Sequence, residues 1–71
     1  MEELFLREGD DFIRLGQALK KAGKAESGAH ATERILSGDV LVNGEKENRR
    51  GRKLYPEDVI SIDGESIKVR R

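Results

Sequence analysis

A chain of 71 residues supports one small domain and leaves little interior for a buried active site. Charged residues reach 39% against 35% hydrophobic, yet the apolar residues recur in regular patterns, which excludes a disordered tail. The lack of cysteine excludes disulfides, thiolate metal sites and a cysteine nucleophile, and one histidine, His30, cannot build a multi-histidine metal site, so no metal or cofactor is expected.

The 14 basic and 14 acidic residues cancel, which argues against a nonspecific polycation. Their distribution is uneven. Residues 1–11 hold five acids and one base, residues 12–26 four bases and one acid, and residues 46–54 five bases and one acid. A phosphate responds to charge within a Debye length of about 10 Å, so the two basic segments matter more than the neutral total. No apolar run of signal-peptide length opens the chain, and no stretch of about 18 apolar residues occurs. The expected location is therefore cytoplasmic, with no membrane partner.

Weak alternation over Glu3–Arg7 allows a short N-terminal strand, ended by Gly9, Asp10 and Asp11. Asp10 or Asp11 is the expected N-cap of a first helix. Phe12, Leu15, Gly16, Leu19 and Ala22 then form a helical stripe of about three turns. On that inner face Gly16 lets another backbone approach closely, and Gly23 stands where a C-terminal glycine cap belongs. Ser27 suits the N-cap of a second helix, with Gly28, Ala31 and Ile35 inward, Leu36 beside them and Gly38 at the end. The short connection makes the two helices a hairpin.

From Asp39 the period changes to two. Val40 and Val42 lead into Asn43-Gly44, a type I′ turn signal that predicts a strand pair. Residues 48–53 read as a basic loop. Leu54 or Tyr55 re-enters the core, and Pro56 starts another turn. Val59, Ile60 and Ile62 form a strand, Asp63-Gly64 a second hairpin turn, and Ile67 and Val69 return antiparallel. The expected architecture is α+β: a helix hairpin packed on a small, mostly antiparallel β-sheet, in a single domain over residues 1–71 with its core motif at 12–63.

Residues 14–44, RLGQALKKAGKAESGAHATERILSGDVLVNG, resemble the RNA-binding domain first described in the small-subunit ribosomal protein S-four. The family pattern runs from an Arg-Leu-Asp helix start through a Gly to Ser-Arg-x-x-Ala opening the second helix. It continues with Ile, Gly-x-Val-x-Val-Asn-Gly and a later Gly-Asp-x-Ile. Arg14, Leu15, Leu19, Gly23, Ser27, Ala31, Ile35, Gly38, Val40, Val42, Asn43, Gly44, Asp58 and Ile60 match it. The departures are Gly16 in place of the Asp, Gly28 in place of the Arg, and Thr32 and Leu36 at positions that are commonly basic. Ser27-Gly28 with the arginine-rich loop looks like a subgroup of very short bacterial proteins made of this domain alone. The resemblance implies an alpha-L RNA-binding motif and binding of structured RNA, ribosomal or transfer.

Within that implication the loop is the first candidate site. Arg49, Arg50 and Arg52 offer guanidinium forks that match phosphate, and Lys53 adds a compact charge. Gly51 lets the backbone turn so that the arginines fan outward, and Asn48 suits a base edge or a ribose 2′-hydroxyl. Arg14 is either a phosphate contact or an exposed helix arginine. Ser27 is first an N-cap, although a helix N-terminus is itself a phosphate site, and Gly28 and Ala29 leave this one sterically open. His30, in the first turn, stacks on RNA or is merely a partly exposed helix histidine. Phe12 and Tyr55 are assigned to the core, because so few aromatics do not make a platform for successive bases.

The functional expectation is a non-catalytic, monomeric RNA-binding protein. The alternative is a protein–protein interaction module that kept the fold and uses the acidic N-terminal segment or a sheet edge.

Overall fold

Apolar residues two apart carry the sheet. In the computed structural model, which describes residues 1–71, Ile60 and Ile62 of one strand and Ile67 and Val69 of the next point to the same buried face. The nine elements in chain order are β1 (Glu2–Phe5), β2 (Ile13–Arg14), α1 (Leu15–Lys21), α2 (Gly28–Leu36), β3 (Leu41–Val42), β4 (Glu45–Lys46), β5 (Lys53–Leu54), β6 (Val59–Ile62) and β7 (Glu65–Arg70). Five strands make one sheet in the order β1-β7-β6-β3-β4, and β2 and β5 form a separate two-stranded ribbon. All pairs are antiparallel except β1 with β7, where Leu4 lies beside Val69. The expected N-terminal strand exists, but it spans residues 2–5 and pairs parallel to the last strand.

The core lies between the helix hairpin and the sheet. Leu15 and Leu19 of α1, Ile35 of α2, and Val40, Val42, Leu54, Ile60, Ile62, Ile67 and Val69 are all essentially inaccessible. Each such side chain contributes roughly 1.5–3 kcal/mol relative to exposure. Leu36, expected beside this face, is exposed instead.

Turn chemistry sets the register. Asn43 and Gly44 have φ of 52° and 86°, and Asp63 and Gly64 have 56° and 74°, the paired positive values that a type I′ hairpin turn needs. Asn43 does more than turn. Its Oδ1 accepts from the Val59 amide at 2.9 Å, and its Nδ2 donates to Asp58 at 3.1 Å. The other Asp58 oxygen accepts the Tyr55 amide at 2.7 Å. Two residues of the family pattern, Asn43 and Asp58, thus strap the first hairpin to the turn before β6.

Both helices end in a glycine in the left-handed region. Gly23 donates to the Lys20 carbonyl and Lys24 to Leu19, while Gly38 donates to Ile35 and Asp39 to Arg34. These are paired Schellman closures, and they carry the chain out of each helix as Gly23 and Gly38 led one to expect.

The start of α1 differs from expectation. The helix begins at Leu15, neither Asp10 nor Asp11 caps it, and the Arg14 N-cap contributes no side-chain bond. Ile13 and Arg14 are drawn instead into the ribbon with Leu54 and Lys53. The first free helix amides, Leu15 and Gly16, donate to the carbonyls of Arg52 at 2.8 Å and Arg50 at 2.9 Å. The basic loop itself satisfies the helix start, so a side-chain cap is not needed.

Two aromatic assignments are also corrected. Phe12 lies before the helix and is half-buried, and Tyr55 is 48% exposed while its neighbour Leu54 takes the core position. Leu54, the last residue of β5, faces inward, and Tyr55 follows it outside the strand, just before the turn that leads to β6.

Candidate nucleic-acid interface

A cation with no carboxylate partner meets a ligand without breaking an ion pair, although an exposed pair is worth only about 0–1 kcal/mol. Half of the basic residues here are held: Lys24, Arg34, Arg49, Arg52, Lys68, Arg70 and Arg71 each pair with an acid. Arg34 illustrates the scaffold role. It forks onto Asp63, lies near Asp39, donates to the Lys24 carbonyl, and holds the Asp63 carboxyl below its usual range. Lys24 pairs with Glu65, and Lys21 donates to the Phe5 carbonyl.

Within the basic loop, Glu47 divides the arginines. Its side chain is only 6% exposed, yet it lies among arginine donors. Its two oxygens accept from the Arg49 amide, Nε and Nη2 and from Arg52 Nη1 at 2.9–3.1 Å. Hydrogen bonds from Arg49, then from Arg52, pull its pKa from 4.5 to about 2, against the opposing effect of burial. Arg49 and Arg52 therefore both engage a buried carboxylate, while the Arg49 side chain stays 70% exposed. Gly51 does not adopt a positive φ, and its carbonyl accepts Arg14 Nη1 at 2.8 Å. Asn48 is exposed and makes no side-chain hydrogen bond within the chain.

Arg50 takes the opposite course. It has no acidic partner and runs across two glycines. A Cβ on Gly16 would stand 2.5 Å from Arg50 Cγ and 3.1 Å from Cδ, and a Cβ on Gly28 would stand 3.2 Å from Nη1. The space that a side chain on α2 would fill is occupied by the end of a loop arginine. Gly16 and Gly28 are the departures from the family pattern noted above, and both face this one side chain. The close approach expected at Gly16 is real, and it comes from a side chain as well as a carbonyl.

Arg14, Gly16, Gln17, Lys20, Gly28, Arg50 and Gly51 line a hollow of about 280 Å³ with no apolar residue in its wall. Arg14 also borders a second hollow with Arg49, Gly51, Arg52 and Lys53. Opposite Arg14 across the ribbon stands Lys53. Like charges facing each other on paired strands are destabilising. No carboxylate separates them, and both approach the Phe12 ring, Lys53 Nζ at 4.9 Å and Arg14 at 5.5 Å from its centroid.

The start of α2 is held by a reciprocal cap. Ser27 Oγ accepts the His30 amide at 3.1 Å, and His30 Nδ1 accepts the Glu26 amide at 3.1 Å. Ser27 is the expected N-cap. The His30 ring is engaged by the backbone through Nδ1, leaving Nε2 as its N–H donor.

Of the residues expected from sequence to form the site, Arg14, Gly28 and Arg50 meet at one hollow, and Lys53 adjoins it through Arg14. Arg49 and Arg52 reach the second hollow from the Glu47 clamp. Ser27 and His30 serve the helix cap. Sequence reasoning missed Gln17 as a wall residue, and it read Lys20 as a helix-end lysine that either suits the dipole or widens the basic surface. Nothing in a charged run signals that its one acid, Glu47, is buried.

The S4 domain pattern matches residues 6–70. The chain belongs to the S4 domain family. Among related S4-domain chains, the "Probable ribosome maturation protein RlbA" of Bacillus subtilis (strain 168) is 50% identical over 54 residues, 76% of each chain. YbcJ of Escherichia coli (strain K12) is 37% identical over 57 residues, 80% of this chain and 81% of that one. The solution structure of YbcJ from E. coli, described as revealing an αL motif involved in RNA-binding, superposes with a TM-score of 0.71 at 32% identity, covering 100% of this chain and 89% of that one. The expected α+β, alpha-L architecture is thereby established. An uncharacterized RNA pseudouridine synthase of Aquifex aeolicus (strain VF5) is 40% identical over 60 residues, but these make up only 24% of that protein. No helix is long and apolar enough to cross a membrane.

Proposed function

We propose that this S4 domain binds structured RNA, with ribosomal RNA the first candidate and transfer RNA the second, and catalyses no reaction on it. The observation that carries this reading is Arg50, unpaired and laid over Gly16 and Gly28 into a polar hollow shared with Arg14 and Lys20. Cations concentrated without counter-charges lower stability unless a ligand supplies the anion. A phosphate backbone does so, and counterions released from it supply much of the affinity. The B. subtilis relative, named for ribosome maturation, supports ribosomal RNA as the target. The resemblance to the synthase covers only 24% of that protein, so its named activity is not carried over to this chain.

The test is a titration of labelled fragments of both ribosomal RNAs, and of total transfer RNA, at several salt concentrations. Affinity is expected to fall steeply with salt. Arg50→Ala is expected to weaken binding and to lower the slope of log K against log salt by about 1. No binding even at low salt overturns the RNA reading and turns attention to protein partners.

A further inference from the structure

Tyr55 is the one aromatic residue near the cationic hollows that the core leaves uncovered. Its backbone is nevertheless fixed. The Tyr55 amide donates to Asp58 Oδ2 at 2.7 Å, the Asp58 amide returns to the Tyr55 carbonyl at 3.0 Å, and Asn43 holds the other oxygen of Asp58. The ring is thus exposed on a pinned turn. Its neighbour Phe12 lies 5.9 Å away, centroid to centroid, at an interplanar angle of 52°. The tilt prevents the two rings from covering each other's faces. Lys53 and Arg14 stand over the Phe12 ring, so the aromatic pair is continuous with the unpaired cations.

We propose that Tyr55, flanked by Phe12, forms a stacking subsite for a single unpaired nucleobase, with Lys53 and Arg14 holding the phosphate beside it. The inference rests on the RNA reading above and adds what kind of RNA feature the surface selects. Bases inside an A-form helix are stacked on one another, so a protein aromatic reaches only bases in loops, bulges or ends. One exposed ring with one half-buried partner accommodates one base and not a run of them. A tyrosine loses little side-chain freedom on binding, because only two torsions need fixing. The flanking cations supply the charge that a nucleotide requires and an apolar peptide does not. The predicted ligand is therefore a helical RNA that carries an unpaired base near its end.

The experiment uses the full chain and two labelled RNAs of the same stem, one closed by a loop of unpaired adenines and one a blunt duplex. Wild type is expected to prefer the hairpin. Tyr55→Ala is expected to lose about ten-fold in hairpin affinity, within the range that one base–aromatic stack supplies. Its affinity for the blunt duplex and its salt slope are expected to stay unchanged, and Tyr55→Phe is expected to keep the preference. Because the ring is largely outside the core, the variant should fold, which circular dichroism checks. A second reading needs no variant: ring-proton resonances of Tyr55, the only tyrosine, should move upfield on adding the hairpin. If Tyr55→Ala binds both RNAs as wild type does, or the resonances stay in place while RNA binds, the stacking subsite is wrong and the RNA reading survives. If wild type binds neither RNA, both fall together.

Discussion

The carbonyl of Arg50 accepts the Gly16 amide at 2.9 Å while the side chain of Arg50 crosses the same glycine toward Gly28. Backbone and side chain of one loop residue are therefore both registered on the helix pair, and neither glycine can gain a methyl group without moving the arginine.

The first consequence concerns Gly16→Ala. Alanine favours a helix by up to about 1 kcal/mol over glycine, but here its Cβ meets Arg50 Cγ close to a pinned backbone. Crowding of this kind costs about 1–3 kcal/mol. Gly16→Ala is expected to be net destabilising alone and neutral or stabilising in an Arg50→Ala background. Urea unfolding of the four proteins in this double-mutant cycle measures the coupling, and additive effects would remove the slot from the account. Gly28→Ala meets only the far end of the side chain and is expected to cost less.

Glu47 sets the acid limit of the fold. Its pKa is depressed in the folded state, from 4.5 to about 2, so its contribution to stability is fully present above pH 4.5 and is lost as pH falls toward 2. Glu47→Gln is expected to lower stability at neutral pH by about 1–3 kcal/mol, because donors from two arginines lose a charged acceptor. It is also expected to flatten the loss of stability between pH 4.5 and 2, the window set by Glu47. Thermal unfolding against pH reports both effects, and an unchanged acid limb would contradict the clamp.

The loop arginines are expected to separate by phenotype. Arg49→Ala and Arg52→Ala each leave a buried carboxylate with fewer donors, so their main effect is on stability. Arg50→Ala breaks no ion pair and is expected to leave the melting temperature within a few degrees while weakening RNA binding. Melting curves and titrations on the three variants decide the matter; equal losses of affinity with unchanged stability would abolish the division of labour.

The reciprocal cap on α2 is expected to be structural. Ser27→Ala should cost about 1 kcal/mol, the usual value for an N-cap. His30→Ala removes the bond to the Glu26 amide and should cost somewhat less, since that amide is exposed to water. Hydrogen exchange at the first turn of α2 follows each loss. A His30 variant with unaltered exchange and lost RNA binding would reverse the assignment.

Much of this was legible because it depends on near neighbours in the chain. Ser27, Gly23, Gly38, Asn43-Gly44 and Asp63-Gly64 act through torsions and local amides, so each reads directly from its residue type. The first helix was misplaced because Phe12 fits a helical stripe with Leu15 and Leu19 locally, while pairing of Ile13 and Arg14 with Leu54 and Lys53 some forty residues away won the contest. The Arg50 slot was half legible: two glycines replace two polar family residues, but only the folded hairpin shows that both face the same side chain. Glu47 was least legible. Burial of an acid beside arginines is decided by loop geometry, and periodicity carries no trace of it.

The parallel pairing of β1 with β7 joins residues 2–5 to residues 67–70. A strand made first thus has no partner until nearly the last residues of the sheet exist, and the loop that must close is almost the whole domain. Closure entropy grows only slowly with length, so the final pairing is thermodynamically affordable, but it comes late in time. During synthesis the helix hairpin and the β3–β6 strands can assemble while the acidic N-terminal segment is still free. The domain is therefore expected to pass through a state whose cationic face is already built before its first strand locks into place.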